Sequence, residues 1–169
     1  ITLGTCVGGG IILGCKLYRG ESYAAGEIGH IPINEYGPKC NCAGTACVET
    51  YIGNKIIMRQ ARRVFKKNIS LEELSRLANC GHKKAKAIWL NAARRLGIAL
   101  VGVINLLNPD CVVIGGGIAN AGRVLFDKIK KTVYKQAMPV QAKRVKIFKA
   151  KLGNDAGLIG AGILVKEKV

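Results

Sequence analysis

Acidic and aromatic side chains are scarce in this sequence. Ten Asp and Glu stand against 27 Lys and Arg, a formal net charge of +17, and Phe, Trp and Tyr together make up 5% of 169 residues. The charge alone leaves nucleic acid, an anionic substrate or a plain lysine-rich surface open. Base recognition, however, needs aromatic platforms set among the cations, and here the basic residues run along presumed helix faces such as Lys55, Arg59, Arg62, Arg63, Lys66 and Lys67. A solvated basic surface is the simplest reading. Long apolar runs are also missing. The stretch Leu96 to Leu107 is interrupted by Gly97, Gly102 and Asn105, too short to cross a bilayer, and no signal peptide is visible. Cysteine is not scarce, but seven is an odd number for a disulfide framework, so a reducing cytoplasm is expected. Ile1 opens inside an apolar run, which points to a fragment of something longer with its missing part upstream.

Hydrophobic residues at 49%, with 22 glycines spread among them, imply one packed α/β domain over residues 1–169. Ile1–Cys6 reads as a buried strand, Gly8-Gly9-Gly10 as a turn, and 11–18 as two short strands joined at Gly14-Cys15 by a type II′ turn that leaves Cys15 without a positive φ. A helix is expected from Thr50 through Phe65. Ser70 and Glu73 offer a capping box for a short helix through Leu77, and a long helix covers Lys83–Leu107. Cys111–Ile114 and Val145–Ala150 read as strands, Gly122–Gln136 and Asp155–Val165 as helices. Cys6, Cys15, Cys80 and Cys111 fit small apolar or turn positions. His82, Asp110 and Asp155 fit structural duty at element ends.

The densest chemistry lies in GEIGHIPINEYGPKCNCAGTACVE, residues 26–49. His30, Cys40, Cys42 and Cys47 can close a tetrahedron around zinc and fill all four of its positions, so the metal would be structural rather than a water activator. The alternatives are unpaired buried thiols, or a catalytic zinc that recruits Glu27 or Glu49 and leaves a thiolate out. Attached to a metal-pinned loop, Glu27 and Glu49 are candidate acceptors for ligand hydroxyls. Two strand-to-glycine junctions, LGTCVGGGI at 3–11 and VVIGGGIANAG at 112–122, can bring backbone N–H groups to phosphate, although neither has Walker A spacing or a dinucleotide fingerprint.

Taken in order, these segments resemble the ROK family, named for repressors, open reading frames and kinases. GEIGH followed by C-x-C, a further Cys and a glutamate two residues on is similar to that family's signature. TLGTCVGGGI is similar to its phosphate loop, INLLNPDCVVIGGGIANAG to its adenosine segment and LGNDAGLIGAGILV to its closing helix. The resemblance implies the C-terminal lobe of an actin-like, ribonuclease H-like ATPase fold of the hexokinase type. It implies structural Zn²⁺ on His30, Cys40, Cys42 and Cys47, and sugar contacts from Glu27, His30 and Glu49. Thr5, Gly8 and Gly9 would meet the phosphates of ATP, and Gly116 and Gly117 the adenosine, with Mg²⁺ in the intact protein.

The family's catalytic aspartate lies upstream, so no residue here is assigned as catalytic, and this chain alone is expected to transfer no phosphate. Relatives are often dimers or tetramers, which makes a homo-oligomer the expectation. The implied function is an ATP-dependent, glucokinase-like hexose kinase. The alternative is the sugar-sensing domain of a transcriptional repressor that binds DNA through a separate domain, and a zinc-stabilised nucleic-acid module stands behind both. Four positions depart from the family pattern: Cys6 replaces a glycine of the phosphate loop, Gly14-Cys15 replaces Asp-Gly, and Ala43 and Ala46 replace glycines of the metal loop. Gly44 is expected to take over the positive φ, and a Cβ at Cys6 to crowd the triphosphate.

Overall fold

The computed structural model describes residues 1–166, so the last three residues of the expected 1–169 domain lie outside the described residues. The chain runs through β1 (Thr2–Leu3), β2 (Val7–Gly8), β3 (Ile11–Leu13) and β4 (Lys16–Tyr18) into the loop that carries His30 and three cysteines. Then come α1 (Glu49–Ile52), α2 (Asn54–Phe65), α3 (Leu71–Asn79) and α4 (Lys83–Leu107). β5 (Cys111–Ile114), α5 (Arg123–Gln136), α6 (Pro139–Arg144), β6 (Lys146–Lys149) and α7 (Ala156–Lys166) complete it. This is the expected α/β class.

The spine is α4. Ile88, Trp89, Ala92, Leu96, Ala99, Leu100 and Ile104 recur at helical spacing and are buried. They pack chiefly against α5 and α3, with α2 and α1 alongside. Each fully buried Leu, Ile or Trp among them contributes roughly 1.5–3 kcal/mol. By length and composition α4 is, among the described residues, the one helix that could span a bilayer, where the run of apolar residues alone looked too short. Half of its most apolar window is buried inside the protein, as befits a core helix. It starts on His82, whose Nδ1 accepts from the Ala85 amide at 3.4 Å, and ends at Asn108 with φ 45°.

Beside this helical layer β5 and β6 pair in parallel, from Cys111 opposite Lys146 to Ile114 opposite Lys149. The first strand joins them edge-on. Thr2 bridges Gly115 in parallel, the Leu3 amide donates to the Gly115 carbonyl at 2.9 Å, and the Gly115 amide donates to the Ile1 carbonyl at 2.8 Å. Both glycine junctions are thereby brought to one end of one sheet.

Three local expectations are corrected. Ile1–Cys6 is not a continuous strand: β1 turns back on β2 through residues 4–6, with Leu3 opposite Val7. The expected Thr50–Phe65 helix breaks at Gly53, which is extended at φ −62° and ψ 151°. A side chain there would sit 2.9 Å from the Thr5 carbonyl oxygen, while the Gly4 carbonyl accepts from the Asn54 amide at 2.9 Å and caps α2. The hairpin turn is type I′, because Gly14 and Cys15 both have positive φ, 55° and 62°. That turn twists with the two strands it joins, and this outweighs the strain on Cys15. The short α6, opened by Pro139 at its first turn, had no sequence expectation. Ser70 caps α3 as expected through the Glu73 amide at 3.1 Å, but the Glu73 carboxylate pairs with Arg76 at 2.9 Å instead of returning to the cap.

Glycine-to-backbone packing gives the first prediction. A methyl at Gly29 would run into the Val7 carbonyl oxygen, whereas one at Gly102, in α4, meets nothing within 4 Å. Gly29→Ala should cost about 3 kcal/mol through overpacking. Gly102→Ala should stabilise by about 0.5–1 kcal/mol through helix propensity. Urea unfolding of the two variants checks both signs.

Candidate metal and ligand site

The loop that carries His30 is built against the β1–β2 hairpin. Gly26, with φ 95°, lets the chain approach Gly9 so closely that a side chain at Gly9 would strike the Gly26 carbonyl. Residues 28–30 then wind into a 3-10 turn, the His30 amide donating to the Glu27 carbonyl at 3.0 Å. From His30 the chain leaves and returns as an irregular ladder. The Ile33 amide donates to the Ala46 carbonyl at 3.0 Å, the Ala46 amide to Pro38 at 2.9 Å, and the Val48 amide to Ile31 at 3.0 Å. A tighter turn inside it, Cys40 amide to Gly44 carbonyl at 2.9 Å, folds the cysteines back toward the imidazole.

The result gathers His30, Cys40, Cys42 and Cys47 with their ligand atoms all within 4.8 Å of one another. Cys42 and Cys47 sulfurs are 3.7 Å apart, and Cys40 Sγ lies 3.6 Å from His30 Nδ1. A tetrahedral ion about 2.3 Å from each thiolate spaces its sulfurs about 3.8 Å apart, so the four donors fit one divalent cation of that kind. Electrostatics points the same way. The Gly44 N–H, followed by the Cys40 side chain, brings the Cys42 thiol down to about 7, while burial pushes Cys47 up to about 12. Three thiolates this close repel one another unless a cation lies between them.

Gly44 does not take the positive φ expected of it. Ala43 and Ala46 carry it themselves, at 68° and 58°. Gly44 is required for space, since a Cβ there would stand 3.2 Å from both the Cys42 and the Cys47 sulfur.

Glu27, His30 and Glu49 stand together. Glu27 Oε2 is 3.8 Å from His30 Nε2, and Glu49 Oε1 is 4.0 Å from Nδ1 while accepting from Cys40 Sγ at 3.2 Å. The imidazole therefore turns one nitrogen to the cysteines and the other toward Glu27. Helix α1 links this cluster to the phosphate-type turn, with Glu49 at its start and Gly53 at its end under the Thr5 carbonyl. Thr5, Gly8 and Gly9 are exposed. Gly116 packs on Leu3, where any side chain would meet the Leu3 carbonyl, and Gly117 opens a 3-10 turn over 117–121. The expected site residues thus fall into two neighbouring groups tied by α1 and β1. Cys6, Cys15, Cys80 and Cys111 are all exposed and outside the metal cluster. His82 caps α4, the Asp110 carbonyl accepts from the Lys146 amide at 3.0 Å, and Asp155 ends a 3-10 turn ahead of α7.

The sequence reading passed over Asn34, Tyr51 and Arg95. With the Asn34 amide turned so that its oxygen meets donors, Oδ1 accepts from Arg95 Nη1 at 2.7 Å and from the Tyr51 hydroxyl at 3.2 Å. The guanidinium lies 4.6 Å from the Tyr51 ring centroid. Arg94-Arg95, set among the apolar residues of α4 well past its lysine-rich first turn, was the available signal.

The family model described as "ROK family" matches residues 1–168. The chain is 37% identical to a glucokinase of Halalkalibacterium halodurans, over 99% of this chain and 56% of that protein. It is 28% identical to a xylose repressor of Bacillus spizizenii, over 98% of this chain and 43% of that one. In structure it resembles a ROK family glucokinase from Streptomyces griseus solved with glucose and AMPPNP, at TM-score 0.86 and 30% identity, covering 96% of this chain and 58% of that one. The chain spans about half the length of the curated relatives it matches.

Two outcomes follow from the loop. In metal-free, reduced protein, alkylation of Cys42 should be half-maximal near pH 7 and fall away below it as the thiolate protonates. Cys47, buried and held protonated, should remain unmodified until far higher pH, as peptide mapping across a pH series would register. Ala43→Gly should raise stability by about 0.5–1 kcal/mol, because relief of the left-handed backbone at an exposed alanine exceeds the added freedom of the unfolded chain.

Proposed function

Because the chain belongs to the ROK family, we propose that it forms the sugar- and nucleotide-binding C-terminal lobe, of the actin-like ATPase fold, in a cytoplasmic, glucokinase-like hexose kinase that uses ATP and Mg²⁺. The observation that carries this reading is the gathering of Glu27 and Glu49 within 4.0 Å of the His30 ring beside a Cys₃His cluster, joined through α1 to the glycine turn at Thr5–Gly9. The likeness to glucokinases in both sequence and structure supports it.

His30, Cys40, Cys42 and Cys47 would hold zinc. When bound, it would balance the thiolate charge and lock the imidazole, with no open position for substrate. The rest of the work belongs to the side chains. Glu27 and Glu49 accept hydrogen bonds from sugar hydroxyls, and His30 uses Nε2, the ring nitrogen turned away from the cysteines. Vicinal hydroxyls presented to two fixed carboxylates are held in one orientation, which is the main requirement of phosphoryl transfer. Backbone N–H groups of Gly8 and Gly9, with the Thr5 hydroxyl, receive phosphate oxygens, and Gly116 and Gly117 offer a backbone surface to the adenosine. No residue of this chain is assigned the role of base for the sugar hydroxyl. The exposed Cys6 side chain beside Thr5 adds bulk at the phosphate turn.

A second reading is favoured by the xylose repressor relative: the same lobe as the sugar sensor of a transcriptional repressor, with nucleic acid bound elsewhere in the protein. Direct DNA binding through the +17 surface of this chain ranks behind both. Either form would function as a homo-oligomer.

The intact protein, given ATP and Mg²⁺, should phosphorylate at least one of glucose, fructose, mannose or their N-acetylated relatives. Glu49→Gln should raise the KM for that sugar at least tenfold, in line with about 1.5–3 kcal/mol for a hydrogen bond to a charged acceptor, and leave the KM for ATP within about twofold. No phosphorylation of any of these sugars, together with sugar-dependent release of operator DNA, would establish the repressor reading instead. Duplex DNA retained at physiological salt by this chain alone, with a steep salt slope, would favour the third.

A further inference from the structure

We infer that Arg95 is a positioning residue for this site: from the middle of α4 its guanidinium clamps the metal loop and helix α1 into one register, so that Glu49 and His30 face the same ligand. The inference rests on reading the cluster as a metal and sugar site. Three segments meet at the guanidinium. Asn34 belongs to the stretch between His30 and Cys40, and Tyr51 lies two residues beyond Glu49 in α1. The Asn34 oxygen accepts from Arg95 Nη1 at 2.7 Å and from the Tyr51 hydroxyl at 3.2 Å, and its Nδ2 donates to the Ile33 carbonyl at 2.8 Å. The Tyr51 ring lies against the guanidinium at 4.6 Å.

The loop also packs on Tyr51 directly, since a side chain at Gly37 would meet the Tyr51 hydroxyl. Among the described residues no carboxylate pairs with Arg95, and its Nε is buried without a partner. A half-buried cation held by one amide oxygen and one aromatic face is worth little as a stabilising ion pair. It is well suited to fixing geometry, because a planar fork that stacks and donates at the same time admits few orientations. The loop has few other attachments: Asn34, Tyr36 and Gly37 are exposed, and its backbone bonds run mainly to itself. Apart from the clamp, the ladder between Ile31 and Val48 is tied to the core by the Ile31, Ile33 and Val48 side chains at its base, by the His30 turn and by α1, while its outer part over residues 34–39 has no buried side chain.

Hydrogen exchange and cobalt binding on the 169-residue chain test this. In the metal-free, reduced protein, Arg95→Leu should speed exchange of the Ile33, Ala46 and Val48 amides at least tenfold. Arg94→Leu, at an exposed neighbouring position, should leave them unchanged. Arg95→Lys should behave like the leucine variant, since it keeps the charge and loses the planar fork. With Co²⁺ as probe, the thiolate-to-metal absorption of Arg95→Leu should saturate at 10–100-fold higher Co²⁺ than wild type. A lowered melting temperature with unchanged loop exchange and unchanged Co²⁺ affinity would overturn the inference and leave Arg95 as a core residue. Rescue of both readouts by lysine would overturn the clamp in favour of simple charge. Failure of the wild type itself to take up Co²⁺ would remove the metal reading, while the exchange rates would still decide whether Arg95 holds the loop.

Discussion

Three sulfurs and an imidazole nitrogen within 4.8 Å form the constraint on which the rest of the site depends. Between Gly26 and Val48 the chain offers little to a hydrophobic core: Ile28 and Val48 belong to it and Ile31 and Ile33 pack against its side, but residues 34–39 are all exposed. Such a segment cannot offset its own conformational entropy by burial. A shared cation can do it, because metal binding to a preformed set of thiolates adds directly to folding free energy. The loop also carries two alanines with positive φ, Ala43 and Ala46, a backbone cost that closure of the turn by a cation would offset.

The second constraint is steric and belongs to the glycines. Gly9 against Gly26, Gly29 against Val7, and Gly116 against Leu3 are places where one backbone lies directly on another. These contacts join the phosphate turn to the His30 loop and to the β5 junction, so the three motifs behave as one body. Under the proposed reading, the carboxylates of Glu27 and Glu49 and the amides of the Gly8–Gly9 turn would thereby keep their separation, and preorganisation of this sort is what transfer of a phosphoryl group demands.

Much of this was legible in the residues. The long helix over Lys83–Leu107 and the strand β5 follow from apolar spacing and from the Asn108-Pro109 stop, and both form over the expected residues, although β5, expected to be buried, buries only Val112 and Ile114 and leaves Cys111 and Val113 exposed. The gathering of His30, Cys40, Cys42 and Cys47 was legible because Cys and His at short spacing in such a loop have few other uses. Less local features were not. The break at Gly53 depends on the Thr5 carbonyl, forty-eight positions earlier, and no helical periodicity near residue 53 encodes it. The turn at Gly14-Cys15 took the type I′ form because strand twist outweighs the strain of one cysteine. Gly44 answers to the volume of two sulfurs rather than to a dihedral angle, and Arg95 finds Asn34 and Tyr51 only once α4 is packed beneath the loop.

X-ray absorption at the zinc edge, on protein purified without added metal or chelator, tests the central claim most directly. One zinc per chain with three sulfur neighbours near about 2.3 Å and one nitrogen near about 2.0–2.1 Å is the predicted result. Protein free of zinc, or zinc surrounded by oxygen and nitrogen alone, would contradict it, and with it the view that a cation held by His30, Cys40, Cys42 and Cys47 aims the imidazole and its neighbouring carboxylates at a sugar.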